Sequence, residues 1–295
     1  LRMSRGLGDV YKRQDLAAAS GEDLAGVSDI VTDAMTAFGL SADGTTKIIK
    51  DGFTKEVSNA SHFADVLAAA SANSNTNVAM LGESFKYAAP VAGSLGYSVE
   101  DTAIALGLMA SSGLKSSMAG SSLRTILTNL AKPTDDISDA MDYLGISLQN
   151  GDGSMKSLMD IVTDLRGAFG QCKMPMDQFQ ENLAKLDEKY ANGELTEKKY
   201  NEALADLTEK AYGAEGALKA KYAATLAGKE GMSGLLSIVS AAPEDFDKLT
   251  NAIYNSDGAA KEMAEIKMDN LQHDVVKLQS AMAVSYTHLT LPTNS

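Results

Sequence analysis

Along most of the chain, apolar residues return every three or four positions, the repeat that lines one face of an α-helix. Ile30, Val31, Ala34, Met35 and Phe38 form one such face, and Phe63, Val66, Leu67 and Ala70 another. Val78, Leu81, Phe85, Ala88, Ala92 and Leu95 form a longer one, with Pro90 marking a kink. Ile104 and Leu108, then Leu123, Ile126, Leu127 and Leu130, predict two further helices parted near Gly113. Lys132-Pro133-Thr134 breaks the chain, and Ile137, Met141 and Leu144 follow as a short helix. Leu158, Ile161, Val162, Leu165 and Phe169 resume the period beyond the tight loop Asn150-Gly151-Asp152-Gly153-Ser154. No segment alternates with period two for long enough to predict a sheet.

The helical runs meet at a recurring corner. In Leu95-Gly96-Tyr97-Ser98-Val99-Glu100-Asp101, Gly96 supplies the left-handed residue that stops a helix, and Ser98 caps the next one with acids near its positive dipole end. Phe38-Gly39-Leu40-Ser41-Ala42-Asp43 has the same form and predicts a helix start at Ser41; Leu144-Gly145-Ile146-Ser147 is a weaker copy. The corners follow no regular period, which supports an irregular helical stack over a strict solenoid.

Residues 171–228 differ from their surroundings. They are rich in Lys, Glu and Ala, with Phe179, Leu183, Leu186 and Tyr190, then Tyr200, Leu204, Leu207 and Ala211, spaced by three or four. Ala191-Asn192-Gly193-Glu194-Leu195-Thr196 is a turn with Thr196 as the cap, so this stretch predicts an inserted helical hairpin that projects from the body. Helices from 229 to 283 return to a core formed by 15–170, the last of them carrying Ala260, Met263, Ile266, Asn270, Val275, Leu278 and Met282. The fold class is all-α: an irregular bundle of short helices with one longer inserted hairpin.

Both ends depart from this pattern. Residues 1–14, LRMSRGLGDVYKRQ, are basic in an otherwise acidic chain, and 284–295 replace a helical period with Thr, Pro and Leu. Both resemble translated sequencing-library adapter, and the expectation is that neither end is native and that the chain is a piece of a larger protein.

A net charge of -13 argues against a general nucleic-acid binder and against adhesion to anionic membrane surfaces. Aromatic residues are only 6%, so the core must be built from Leu, Ile, Val, Met and Ala. Cys172 is the single cysteine; it cannot form an internal disulfide and no base is patterned with it, so it reads as a small buried hydrophobe. No run of about 18 apolar residues predicts a membrane span.

Chemistry finds little support. His62 and His273 lie far apart without companions, which is not metal-ligand spacing. Gly151-Asp152-Gly153 lacks the alternating acids and closing Glu of a calcium loop and reads as a turn. No phosphate-cradling glycine motif occurs. Gly82-Glu83-Ser84 superficially matches the helix that carries the acid of goose-type lytic transglycosylases, but no aromatic sugar groove or further motif accompanies it, and Glu83 is expected to face solvent. No catalytic, metal or cofactor residue is assigned.

Residues 59–131 carry a long ordered set of matches to one family: Ala68-Ala69-Ala70, Asn75-Thr76, Leu81-Gly82-Glu83, Ala89-Pro90-Val91-Ala92, Leu95-Gly96, Glu100-Asp101-Thr102-Ala103, Gly113-Leu114-Lys115, and Gly120 followed by Ser122-Leu123-Arg124. In order and spacing this stretch resembles the core of the TP901-type phage tail tape measure family. Residues 27–40 resemble the helix before that core. Leu226-Ala227-Gly228-Lys229-Glu230-Gly231-Met232-Ser233-Gly234-Leu235-Leu236 and Asn255-Ser256-Asp257-Gly258-Ala259-Ala260 resemble its distal portion, whereas 41–58, with Thr46-Lys47-Ile48-Ile49-Lys50, is less typical. The resemblance implies a structural, non-enzymatic role: a chain that lies in the tail tube lumen of the virion, sets tail length, and is assembled in the host cytoplasm. Its implied partners are the tail tube protein, tail assembly chaperones and further copies of itself, with no direct nucleic-acid binding and no cofactor. A tail-associated peptidoglycan-degrading enzyme and a bacterial helical adaptor are the alternatives. Pro90, Gly96, Gly113, Gly120 and Arg124 are the expected structural positions: the glycines for close helix crossing or simple turn chemistry, Arg124 for pairing with an acid or capping a helix end, with a solvated side chain as its alternative.

Overall fold

A computed structural model describes residues 14–18, 20–21, 24–41, 44–50, 53–170, 176–212 and 216–270. Cys172, His273, most of 1–14 and all of 284–295 lie outside them. In chain order the elements are α1 (Leu24–Ala37), β1 (Thr45–Lys50), β2 (Phe53–Ser58), α2 (Asn59–Asn73), α3 (Val78–Ser94), α4 (Val99–Ser111), α5 (Ser116–Ala131), α6 (Asp135–Leu144), α7 (Leu158–Phe169), α8 (Met176–Ala191), α9 (Glu197–Tyr212), α10 (Gly216–Ser240) and α11 (Pro243–Tyr254), followed by a helix over 259–270. The molecule is predominantly α-helical, as the apolar period predicts.

The fold is organised around α4. Every residue of α4 except Glu100 and Ser111 is buried, and α2, α3, α5, α7, α10 and α11 all pack against it. A helix apolar on all sides has to be enclosed, and Val99-Glu100-Asp101-Thr102-Ala103-Ile104-Ala105-Leu106-Gly107-Leu108-Met109 is nearly that. Phe63 of α2, Phe85 of α3 and Phe38 meet edge to face at centroid distances of 5.3 and 6.1 Å, closing one end of the core.

The glycine corners form as local chemistry dictates. After α3, the Gly96 amide donates to Gly93 O (3.0 Å) and the Tyr97 amide to Ala92 O (3.0 Å), the two bonds of a Schellman stop, with Gly96 at φ 77°. Ser98 then accepts from the Asp101 amide at 3.0 Å and starts α4. The corner after α1 closes in the same way, with Gly39 N to Thr36 O and Leu40 N to Met35 O, but no helix starts at Ser41. Residues 45–58 instead form an antiparallel β-hairpin in which Thr45 pairs with Ser58 and Lys50 with Phe53. Asp51 and Gly52, which separate the two strands in the sequence, lie outside the described residues. Thr46 and Ile48 are half-buried while Thr45 and Lys47 are exposed, so the period-two signal exists but spans only a few residues. Asn59 ties the hairpin down, accepting from Thr46 Oγ1 (2.7 Å) and donating to Ser41 O (2.8 Å).

Helices α8 and α9 form the inserted hairpin, turned at Gly193 and capped by Thr196, whose Oγ1 accepts from the Lys199 amide at 3.4 Å. The hairpin does not project. Phe179, Leu183, Leu204 and Ala211 are fully buried, and the hairpin lies along α10. Its apolar stripe is wide enough to need a partner surface, and α10 supplies one.

Candidate functional site

Glycine and serine residues meet where α3, α5 and the second half of α10 cross. At Gly120 an added Cβ would stand 2.2 Å from Ser84 O and 2.9 Å from Tyr87 Cβ, so α3 and α5 touch backbone to backbone and only glycine fits. At Gly234 an added Cβ would come within 2.8 Å of Ser122 Cβ and 2.9 Å of Met109 Cε, so there α10 lies close against side chains of α5 and α4.

Close approach brings backbone carbonyls near side-chain donors. Ser84 Oγ lies 2.9 Å from Met80 O and 2.7 Å from Ser116 O, linking α3 to the start of α5. Ser116 itself has φ 58°, a left-handed conformation that costs energy for a residue with a side chain. Ser122 Oγ donates to Glu230 O at 2.6 Å and Asn129 Nδ2 to Leu226 O at 3.0 Å. These two bonds bracket Gly228, whose φ 65° and ψ -179° break α10 into two helices. Ser122 ties α5 to the start of the second, while the break strands carbonyls at the end of the first, where Asn129 supplies a donor to Leu226 O. Arg166 of α7 does the same at the other end of α10, donating to Ile238 O (2.9 Å) and Ala241 O (2.8 Å) with its guanidinium 4.5 Å over the Phe246 ring.

Two buried carboxylates anchor the distal segment. Asp65 of α2 accepts from the amides of Gly258 and Ala260, each at 3.0 Å, and so caps the helix over 259–270. Asp101, only 4% exposed, accepts from Tyr254 Oη (2.5 Å) and from the Met159 amide (3.3 Å), joining α4 to α11 and α7. The sequence pattern placed Asp101 only as an acid near a helix start; that it faces inward shows in the apolar residues around it on α4. His62 Nε2 and Glu100 Oε1 meet at 2.7 Å between α2 and α4. Burial alone would raise the Glu100 carboxyl, but the hydrogen bond and charge of His62, with a backbone bond, hold it below the usual carboxylate range.

The positions singled out from sequence fall into different settings. Gly120 is the crossing glycine. Gly96 and Gly113, at φ 77° and 94°, are turn residues, and the nearest atom to a Cβ at Gly113 would be Ala184 Cβ at 3.9 Å. Pro90 sits exposed inside α3, which stays helical through it. Arg124 is exposed and lies 6.0 Å over the Tyr87 ring, a cation–π contact across the α3–α5 crossing. Sequence reasoning offered an acid, a helix end or solvent as its surroundings, and Tyr87 was not among them. Glu83 is half-exposed and pairs with Lys86 one turn along α3 at 3.1 Å. Asp152 Oδ1 accepts from the Ser154 amide and hydroxyl in a plain turn. The arrangement as a whole is a packing device: short side chains, satisfied carbonyls and buried acids used as caps.

Residues 11–187 match the family model described as phage-related minor tail protein. The chain is 36% identical over 267 residues to the tape measure protein of Pneumococcus phage Dp-1, covering 90% of this chain and 18% of that protein. It is 26% identical over 242 residues to the probable tape measure protein of Escherichia phage P2, covering 82% of this chain and 25% of that protein. The chain thus spans about a fifth to a quarter of the length of these curated relatives. No solved structure matches it.

Proposed function

The chain belongs to the phage-related minor tail protein family, and on that ground we propose that it is a helical segment of a tape measure protein, a structural component that occupies the tail tube lumen and sets tail length. The observation that carries this reading is the 36% identity to a tape measure protein over 90% of the chain. The partners that follow are the tail tube protein, tail assembly chaperones and further copies of the same chain. The protein is then assembled in the host cytoplasm and carried in the virion tail. Among the described residues no helix is long and apolar enough to cross a membrane.

The physics suits that role. An α-helix rises about 1.5 Å per residue, so a helical chain has a length fixed by its residue count. A net charge of -13 keeps the surface soluble and repels passing nucleic acid. We take the segment to be non-catalytic. Glu83, which prompted the lytic alternative, is a surface residue neutralised by Lys86. Neither that alternative nor a bacterial adaptor finds support in the relatives' names. The test is an in-frame deletion of residues 176–212 in the source phage, with tail length measured by electron microscopy. Tails shortened by up to about 55 Å agree with a ruler in helical form; tails of unchanged length would overturn the reading for this segment.

A further inference from the structure

The sequence holds two Asn-Gly dipeptides: Asn150-Gly151 in the loop between α6 and α7, and Asn192-Gly193 at the turn between α8 and α9. Asparagine is a thermally labile residue. A following glycine, lacking a Cβ, lets its backbone nitrogen close on the asparagine's side-chain carbonyl carbon. Both asparagines are exposed, so water reaches each. They differ in the nitrogen that would attack. The Gly193 amide donates to Tyr190 O at 3.0 Å, and the Asn192 amide to Glu188 O at 2.9 Å, so this dipeptide is tied into the last turn of α8. The Gly151 amide has no hydrogen-bond partner among the described residues, and an added Cβ at Gly151 would meet nothing within 4 Å. The bonds of that loop fall on its neighbours instead: the Asn150 amide donates to Ser154 O (2.8 Å), the Gly153 amide to Asn150 O (3.0 Å), and Asn150 Nδ2 to Ser154 Oγ (2.9 Å).

We propose that Asn150 is a site of spontaneous self-modification, deamidating through a cyclic imide with Gly151, and that the fold protects Asn192 from the same reaction. The Gly151 nitrogen loses its proton to solvent and attacks Asn150 Cγ. The N–Cγ bond forms, the Cγ–Nδ2 bond breaks, and Nδ2 regains a proton and leaves as ammonia. Water then opens the imide at either carbonyl, which leaves an aspartyl or isoaspartyl residue at position 150. Water is the only co-reactant, and a carboxylate replaces a neutral amide. The isoaspartyl form also lengthens the backbone by one carbon beside the bridge that pairs Gln149 with Met155. At Asn192 the attacking nitrogen must first give up its bond to Tyr190 O, a cost that Gly151 does not carry. The inference rests on the two loops alone and is independent of the tape measure reading.

The test incubates the full chain in mildly alkaline buffer containing oxygen-18 water, once folded and once in denaturant, and follows both asparagines by peptide mass spectrometry. In the folded chain Asn150 should convert at least about fivefold faster than Asn192, the rate factor that breaking one backbone hydrogen bond of typical net strength imposes. In denaturant, where that bond is absent, the two rates should converge. The products at position 150 should carry the heavy oxygen and include the isoaspartyl form, the signature of the imide. Gly151→Ala, placed where a methyl meets nothing within 4 Å, should slow conversion at 150 while the helical circular dichroism stays unchanged. Equal or faster conversion of Asn192 in the folded chain would overturn the proposal. So would an Asn150 that stays intact while both sites convert in denaturant, or a Gly151→Ala rate equal to that of the native chain.

Discussion

The body built on α2 to α5 with the second half of α10, and the hairpin of α8 and α9, are both helical and yet hold together by different means. In the body, small residues let backbones meet: the α3–α5 contact at Gly120 leaves no room for a methyl group, and α4 is enclosed on all sides. In the hairpin, one apolar stripe is buried on α10, and the rest is charged surface laced with ion pairs one turn apart, such as Lys185–Glu181 and Lys210–Asp206. The first design tolerates no added atom; the second tolerates many changes provided the stripe survives. The same helical period thus conceals two packing regimes, one limited by volume and the other by apolar area.

The largest effects test whether the two regimes are also two cooperative units. Phe63→Ala in the body and Phe179→Ala in the hairpin each remove a fully buried ring and should each cost about 4 kcal/mol. Hydrogen exchange separates them. Phe63→Ala should accelerate exchange throughout α2 to α5, whereas Phe179→Ala should accelerate it within 176–212 and leave the body protected. Equal acceleration of both regions by Phe179→Ala would show that hairpin and body unfold as one.

Next in size is the volume limit itself. Gly120→Ala should cost about 2–3 kcal/mol, because its methyl would meet the Ser84 carbonyl oxygen rather than a yielding side chain. Gly167→Ala on the exposed side of α7, where a methyl meets nothing within 4 Å, should instead gain about 0.5 kcal/mol. Urea midpoints for the pair decide the matter; two losses of similar size would mean that space is not what distinguishes the glycines.

A smaller effect is specific to the body. Glu100 is held below the usual carboxylate range in the folded state, so its bond to His62 contributes stability above the ordinary Glu value of about 4.3. That contribution is lost as pH falls through the lower folded-state value. Thermal midpoints measured downward from pH 5 should fall more steeply for the native chain than for Glu100→Gln. Parallel acid limbs would remove Glu100 as a source of the acid loss.

The difference between the regions also decides what was legible in the sequence. The helical period located α1 to α9 but assigned no face to α10 or α11, and Gly-apolar-Ser strings located the corners, because both signals are local. The β-hairpin was missed because its strands are only six residues each, too short and polar to outweigh the helical runs around them. What Asp65 and Asp101 bind was hidden because Gly258, Ala260 and Tyr254 are more than 150 positions away from them. The hairpin's docking along α10 was illegible for the same reason: an apolar stripe shows that a partner exists, not which helix supplies it.

The smallest effect is the sharpest check on the area-limited regime. If the hairpin's stability resides in Phe179, Leu183, Leu204 and Ala211, its surface ion pairs are nearly dispensable. Lys185–Glu181 and Lys210–Asp206 join side chains each more than 60% exposed, where solvent screens the attraction and two long side chains lose freedom on pairing. Lys185→Ala and Lys210→Ala together should therefore cost less than about 1 kcal/mol at low ionic strength and nothing measurable at 1 M salt, where screening acts within about 3 Å. A salt-independent loss of 2 kcal/mol or more would place the lysines' methylene stems in the packed stripe and erase the contrast between a hairpin held by area and a body held by fit.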